Sequence, residues 1–348
     1  MPYVTMIVDL QFGSTGKGLI AGYLAERESP DTVINANMPN AGHTYINAKG
    51  RVFMHKVLPN GIVSPNLERC MIGPQSVFSL EQLRKEAESC MDLLGNTYHK
   101  LYIHPDATVL QDEHRELEQA SLSKIASTMQ GSMAAIVDKM MRNPERDFRA
   151  VTVLKGTEFE TCVVSHDQWR KRLMQSGYIL AEGAQGYSLG LNAGFWPYCT
   201  SRDCTPARFM ADMGLPHSWL TRVVGTARVH PIRVGNTPDG YSGDVYHDQT
   251  ETSFEALNQK IELTTVTKRP RRVFTFSFEQ IKQAIFACQP NEIFLNFCNY
   301  DGAEALRVRK QIEFIADQNI VSNNKHSRKI VRYLGWGPSI LDVEDTHE

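Results

Sequence analysis

The sequence predicts an α/β fold built on a central, largely parallel sheet flanked by helices. Two observations carry this. Strand-like apolar runs alternate with helix-like segments through all 348 residues, and a glycine-rich loop joins the first such pair. A hydrophobic content of 42% is enough for a large core. With no internal repeat, low-complexity tract or linker, one continuous domain over 1–348 is expected.

The first unit runs from an apolar strand, Val4 to Val8, through the loop into a helix from Lys17 to Arg27. Strands are predicted at Thr32 to Ala36 and near Val52 to Val57. Ser79-Leu80-Glu81-Gln82 has the capping-box pattern, and its helix reaches about Leu94, where Gly95 stops it. Leu80, Leu83, Ala87 and Cys90 or Met91 form that helix's core stripe. The charged stretch from Gln111 to Arg146 predicts a helix-rich smaller lobe at about 100–150. Tyr178 to Ala181 is a strand entering Glu182-Gly183-Ala184-Gln185-Gly186. In the last third, Ser277-Phe278-Glu279-Gln280 caps a helix to about Cys288, and Glu292 to Phe297 is a buried strand. A helix from Ala303 to Gln318 follows, then a strand from Lys329 to Leu334 leading into Gly335-Trp336-Gly337-Pro338.

Composition narrows the function. A net charge of -2 speaks against a nucleic-acid or membrane-surface protein. No apolar run approaches membrane-spanning length, and the N-terminus has no basic region followed by an apolar core. The seven cysteines contain no C-x-x-C pair, against a disulfide scaffold or zinc site. A soluble, reduced, cytoplasmic protein is expected.

The loop, Gln11-Phe12-Gly13-Ser14-Thr15-Gly16-Lys17-Gly18, has the parts of an anion site. Glycine lets the backbone approach a phosphate, the first helical N–H groups lack internal partners, and Lys17 adds a charge. Its spacing is not Walker A. Two residues, not four, separate Gly13 from Gly16-Lys17, and Gly18 stands where Ser or Thr is required.

Together with Asn40-Ala41-Gly42-His43-Thr44 downstream, this loop resembles the adenylosuccinate synthetase family. Those ligases join aspartate to C6 of a 6-oxopurine nucleotide through a 6-phosphoryl intermediate. The resemblance runs from Gln11 to Pro338 and implies the roles that follow. Thr15, Gly16, Lys17, Gly18, Gly42 and Thr44 would hold the triphosphate, and His43 would be the general acid. Ser14 and Gly42 would meet Mg²⁺. Asn40, Ser127, Thr128, Gln185 and Thr200 would bind the substrate nucleotide. Arg142 would reach it across a homodimer interface. In Thr267-Lys268-Arg269-Pro270-Arg271-Arg272, Thr267, Arg269 and Arg271 would bind L-aspartate. Arg269 would also meet the nucleotide sugar, and Arg271 the triphosphate. Asn296, Asn299, Gly335, Trp336 and Gly337 would surround the energy donor's base, with Trp336 as a stacking face.

Two departures refine the substrates. The family has Asp, its catalytic base and a magnesium ligand, where this chain has Ser14. A bacteriophage branch of the family carries Ser there and acts on dGMP. A smaller Ser leaves room for the 2-amino group of guanine and can both donate and accept a hydrogen bond. The family reads GTP with Thr-Lys-x-Asp, where this chain has Asn296-Phe297-Cys298-Asn299. An amide pairs with adenine as donor and acceptor together, which predicts ATP or dATP. An IMP-dependent synthetase with an altered base and a nucleotide-binding regulator are the alternative readings.

Overall fold

The computed structural model describes residues 1–264, 268–319 and 329–347. A nine-stranded sheet forms the centre, and its first strand, Tyr3–Asp9, lies in the middle. On one side of it come Leu220–Arg228, Glu292–Asn296, Val331–Gly335 and Val343–Asp345, and on the other Tyr178–Glu182, Thr32–Asn35, Arg69–Ile72 and Leu101–Ile103. Every pairing is parallel except that of Val343–Asp345.

Strands buried on both faces carry near-continuous apolar runs, and YVTMIVD shows why. Val4, Met6 and Val8 enter one core with Trp169, Phe209, Ile281, Ile285, Val308 and Ile312. Ile7 points the other way, to Leu19, Ile20, Leu24, Leu83 and Ala87. Helices Lys17–Glu28 and Leu80–Ser89 therefore cover one face. His166–Met174, Pro206–Asp212, Phe278–Cys288 and Gly302–Asn319 cover the other.

Both serine caps form, with Ser79 accepting from the Gln82 N–H and Ser277 from that of Gln280, but the Gln82 side chain donates to Glu86 at 2.7 Å and does not close the expected capping box. The helix expected to run to Leu94 breaks at Cys90, and only a short turn, Met91–Leu94, follows before Gly95. The strand expected to reach Val57 ends at His55 and pairs with His43–Ile46 in a hairpin outside the main sheet. The buried Glu86 carboxylate takes the N–H groups of Lys56, Val57 and Leu58 at 2.7, 3.0 and 2.8 Å, so no ladder continues there. Helices Asp112–Ser121 and Ser132–Met141 supply the helix-rich stretch, with a satellite cluster of Val77, Leu110 and Ala135.

The Leu220–Arg228 strand, next to the centre, gives no clean apolar pattern. It holds its polar residues by pairing them: Arg222 reaches Glu28 at 2.7 Å and Glu292 at 2.5 Å. Among the described residues no helix is long and apolar enough to cross a membrane.

Candidate active site

Ligands of open α/β sheets bind beyond the carboxyl ends of the strands. Four such ends meet here, at Asp9, Glu182, Arg228 and Asn296. Above them lies a cavity of about 580 Å³. Four non-glycine residues lining it, Ser14, Ala126, Gln185 and Phe297, have positive φ (57°, 49°, 60° and 59°). Such backbone costs of order 1–3 kcal/mol each and persists only where the surroundings enforce it, often at working sites.

Asp9 shapes the loop from beneath. Its Oδ1 accepts the N–H groups of Gln11 at 2.8 Å and Gly13 at 3.2 Å, while Oδ2 meets the Thr15 hydroxyl and lies 3.1 Å from Lys17 Nζ. Two loop N–H groups therefore face inward, which leaves the loop tip and the helix start as the parts open to an anion. The Thr15 side chain also points down, its hydroxyl 2.5 Å from that of Thr226. Lys17 Nζ, which also reaches the Gln185 carbonyl at 2.6 Å, lines the cavity. Gly16, at φ 98°, has no room for a side chain, because a Cβ would stand 2.1 Å from Asn296 Nδ2.

His43 Nδ1 lies 2.6 Å from Glu182 Oε1, and Glu182 Oε2 accepts the Asn60 N–H at 2.7 Å. His43 and Glu182 are both buried, 7% and 1% exposed. A carboxylate on one ring nitrogen fixes the ring's orientation and leaves Nε2 for a ligand in the cavity.

Ser14 sits exposed at the loop tip, and its Oγ accepts from Arg271 Nη1 at 2.8 Å. Arg228 Nη1 approaches the Ser14 carbonyl at 3.4 Å. Arg228 is fully buried, pairs with Glu262, and stacks 3.7 Å above the Phe297 ring. Glu262 also accepts from the Tyr300 hydroxyl at 2.9 Å, and its main-chain carbonyl takes the Arg271 N–H at 2.9 Å. Burial pushes the Glu262 carboxyl up, but the Arg228 guanidinium outweighs it and holds the group below its ordinary value. Burial lowers Arg271 to about 10.

The two atoms expected to meet Mg²⁺ are the Ser14 hydroxyl and the Gly42 carbonyl. That hydroxyl already faces a guanidinium, and Glu262, the one carboxylate among the described cavity residues, is held by Arg228. Mg²⁺ favours carboxylate and phosphate oxygens, so these residues do not make a metal site of their own.

Most other expected residues converge. Asn40, Gly42, Thr44, Ser127, Thr128, Gln185, Thr200, Asn299 and Gly337 line the cavity. Gln185 Nε2 donates to Asn40 Oδ1 at 2.5 Å, and Arg269 Nη2 to the Ser127 carbonyl at 2.9 Å. Asn296 is a spacer. Its Nδ2 bonds the Thr15 carbonyl at 3.3 Å, its Oδ1 takes the Phe297 N–H at 2.8 Å, and the amide fills the space between Gly16 and Gly335. The Trp336 indole donates to Glu344 at 2.8 Å and is not among the cavity's lining residues. Phe297 lines the cavity instead. Arg142 is exposed, at the end of its helix and outside the cavity lining. Thr267 lies outside the described residues.

The profile of one family, adenylosuccinate synthetase, matches residues 6–174 and 155–335. The chain belongs to the adenylosuccinate synthetase family. It is 54% identical to the N6-succino-2-amino-2'-deoxyadenylate synthase of Vibrio phage phiVC8 over 348 residues, 99% of this chain and 98% of that protein. A second protein so named, from Acinetobacter phage SH-Ab 15497, is 42% identical over 100% of this chain and 95% of its own. Among solved structures, the cyanophage S-2L succinoaminodeoxyadenylate synthetase, bound to dGMP and to dATP as an energy donor, matches with TM-score 0.89. It is 38% identical over 99% of this chain and 96% of that one. The adenylosuccinate synthetase of Plasmodium falciparum shares the fold, with TM-score 0.76 at 19% identity over 99% of both chains.

Proposed function

We propose that the chain joins L-aspartate to C6 of dGMP at the expense of ATP or dATP. The products are N6-succino-2-amino-2'-deoxyadenylate, the nucleoside diphosphate and phosphate. The observation that carries this reading is the loop tip, where a small hydroxyl on an arginine replaces the carboxylate that a 2-amino purine would crowd. The similarity to phage synthases, one of them solved with dGMP and dATP, supports it.

Hydroxide leaves C6 poorly, so O6 is first phosphorylated. Such transfer depends on positioning and on stabilising charge. Lys17 and the helix N–H groups hold the β- and γ-phosphates, and His43 Nε2 meets the charge that develops as the γ-phosphoryl moves. Mg²⁺, on which the family generally depends, comes in with the triphosphate as part of the substrate. Asn40, Ser127, Thr128 and Thr200 hold the dGMP phosphate side, with Gln185 over the nucleotide. Arg269 and Arg271 concentrate the positive charge that a dicarboxylate requires, and Thr267 offers it a hydroxyl. Arg142, on the outer surface, serves the site of a second copy in a homodimer. The reaction belongs to the cytoplasm of the host cell, where its substrates are.

The energy donor's base rests against Phe297, beside Asn299 and Gly337. Base–aromatic stacking is worth about 1–3 kcal/mol, so Phe297→Ala raises the KM for ATP about 5- to 150-fold with a smaller change in kcat. Asn299→Asp shifts the ATP:GTP preference toward GTP. Steady-state kinetics with each triphosphate measure both, and an unmoved ratio removes Asn299 from the account. The reading as a whole is tested by phosphate release. Release should require dGMP and aspartate together, and release without aspartate would contradict a ligase.

A further inference from the structure

Ser14 stands where the family's base stands, yet its surroundings are cationic. Arg271 Nη1 donates to its Oγ at 2.8 Å, and Arg228 Nη1 lies 3.4 Å from its carbonyl. Lys17, 3.1 Å from the buried Asp9, lines the same cavity. Glu262, the carboxylate among the described cavity residues, is committed to Arg228 and Tyr300, and the Asp9 carboxylate is buried beneath the loop with four donors on it. A hydroxyl that accepts from a guanidinium is a poorer proton acceptor and a stronger donor.

Resting on the dGMP reading above, we propose that Ser14 never takes the N1 proton. It acts instead as a hydrogen-bond donor, polarised by Arg271, that stabilises the N1-deprotonated purine. The N1–H bond breaks with its proton passing to water, and the electron pair delocalises over N1, C6 and O6. O6 then forms its bond to the γ-phosphorus as the bond to the bridging oxygen breaks and the diphosphate leaves with that pair. Once N1 has lost its proton, Ser14 Oγ–H donates to the lone pair left there and stays protonated. Arg271 thereby acts on both halves of the reaction: it polarises Ser14 in the phosphoryl step and grips aspartate for the displacement.

Ser14→Ala and Ser14→Cys separate donor from base, because a thiol donates weakly but ionises near 8.5 and accepts protons well as thiolate. Both variants keep a Cβ at an exposed loop tip and suit the same backbone. If Ser14 is a donor, both lose about 10²–10³-fold in kcat, the usual effect of removing one charge-stabilising donor, by the same factor at pH 7 and pH 9. Recovery of Ser14→Cys over Ser14→Ala between those pH values would show a base at this position and overturn the proposal. Full activity in Ser14→Ala would overturn it as well. A wild-type protein that makes no product from dGMP fails the ligase reading itself, and the proposal falls with it.

Discussion

His43→Ala lowers kcat with dGMP by about 10²–10⁴-fold while the KM values for dGMP and aspartate stay close to wild type. The expected split follows from the geometry. Nδ1 is committed to Glu182 at 2.6 Å, so the ring approaches a ligand only through Nε2. In the proposed role its contribution arises when charge moves off the γ-phosphoryl, not when the substrates bind. Glu182→Gln is the companion variant. It keeps the shape and a hydrogen bond to the ring, but it removes the charge facing Nδ1. Its loss should be a fraction of that of His43→Ala, and the double variant should lose little beyond His43→Ala alone. Rapid-quench and steady-state kinetics on the three proteins measure this. Additive losses would mean that Glu182 acts on something other than His43.

Arg228→Met destabilises the protein by about 3–5 kcal/mol, the usual cost of leaving one partner of a buried ion pair alone. Arg228 is 0% exposed, and three parts of the site meet on it: the Ser14 turn, the Phe297 ring and the Glu262 carboxylate. Glu262 keeps some solvent, with 21% of its side chain exposed, so the loss belongs at the lower end of that range. The pH dependence has a definite sign. The folded-state Glu262 carboxyl lies below its ordinary value. The pair's contribution is therefore full above the ordinary carboxylate range and is lost as pH falls through the folded value. Urea unfolding of wild type and Arg228→Met at neutral and acid pH should show a gap that narrows on acidification. A gap that is constant or widens toward acid would contradict the pairing.

The parts of the site legible in the sequence were those whose chemistry is local. The glycine loop with Lys17, the His43 motif and the basic stretch at Arg269 and Arg271 each declare themselves within eight residues. Phe297, Arg228 and Glu262 do not, because their roles depend on partners far along the chain. Arg228 meets Gln11 across 217 residues and Glu262 across 34. Asp9 ends an apolar strand and looks like a boundary residue until four donors converge on it. Asn296 and Trp336 show the opposite case. Asn296 lines the cavity, but its amide is engaged within the protein between Gly16 and Gly335, and Trp336 turns to Glu344 outside that lining. In the fold, the Leu220–Arg228 strand was hidden because its arginines are neutralised by acids on other elements, which no period within the strand reveals.

The most direct measurement is the mass of the product formed when the protein meets Mg²⁺, L-aspartate, ATP and equal amounts of dGMP and IMP. A succinylated 2-amino-2'-deoxyadenylate is expected, with adenylosuccinate at most a minor component. Adenylosuccinate as the main product would make this an IMP-dependent enzyme and would contradict the role given to Ser14.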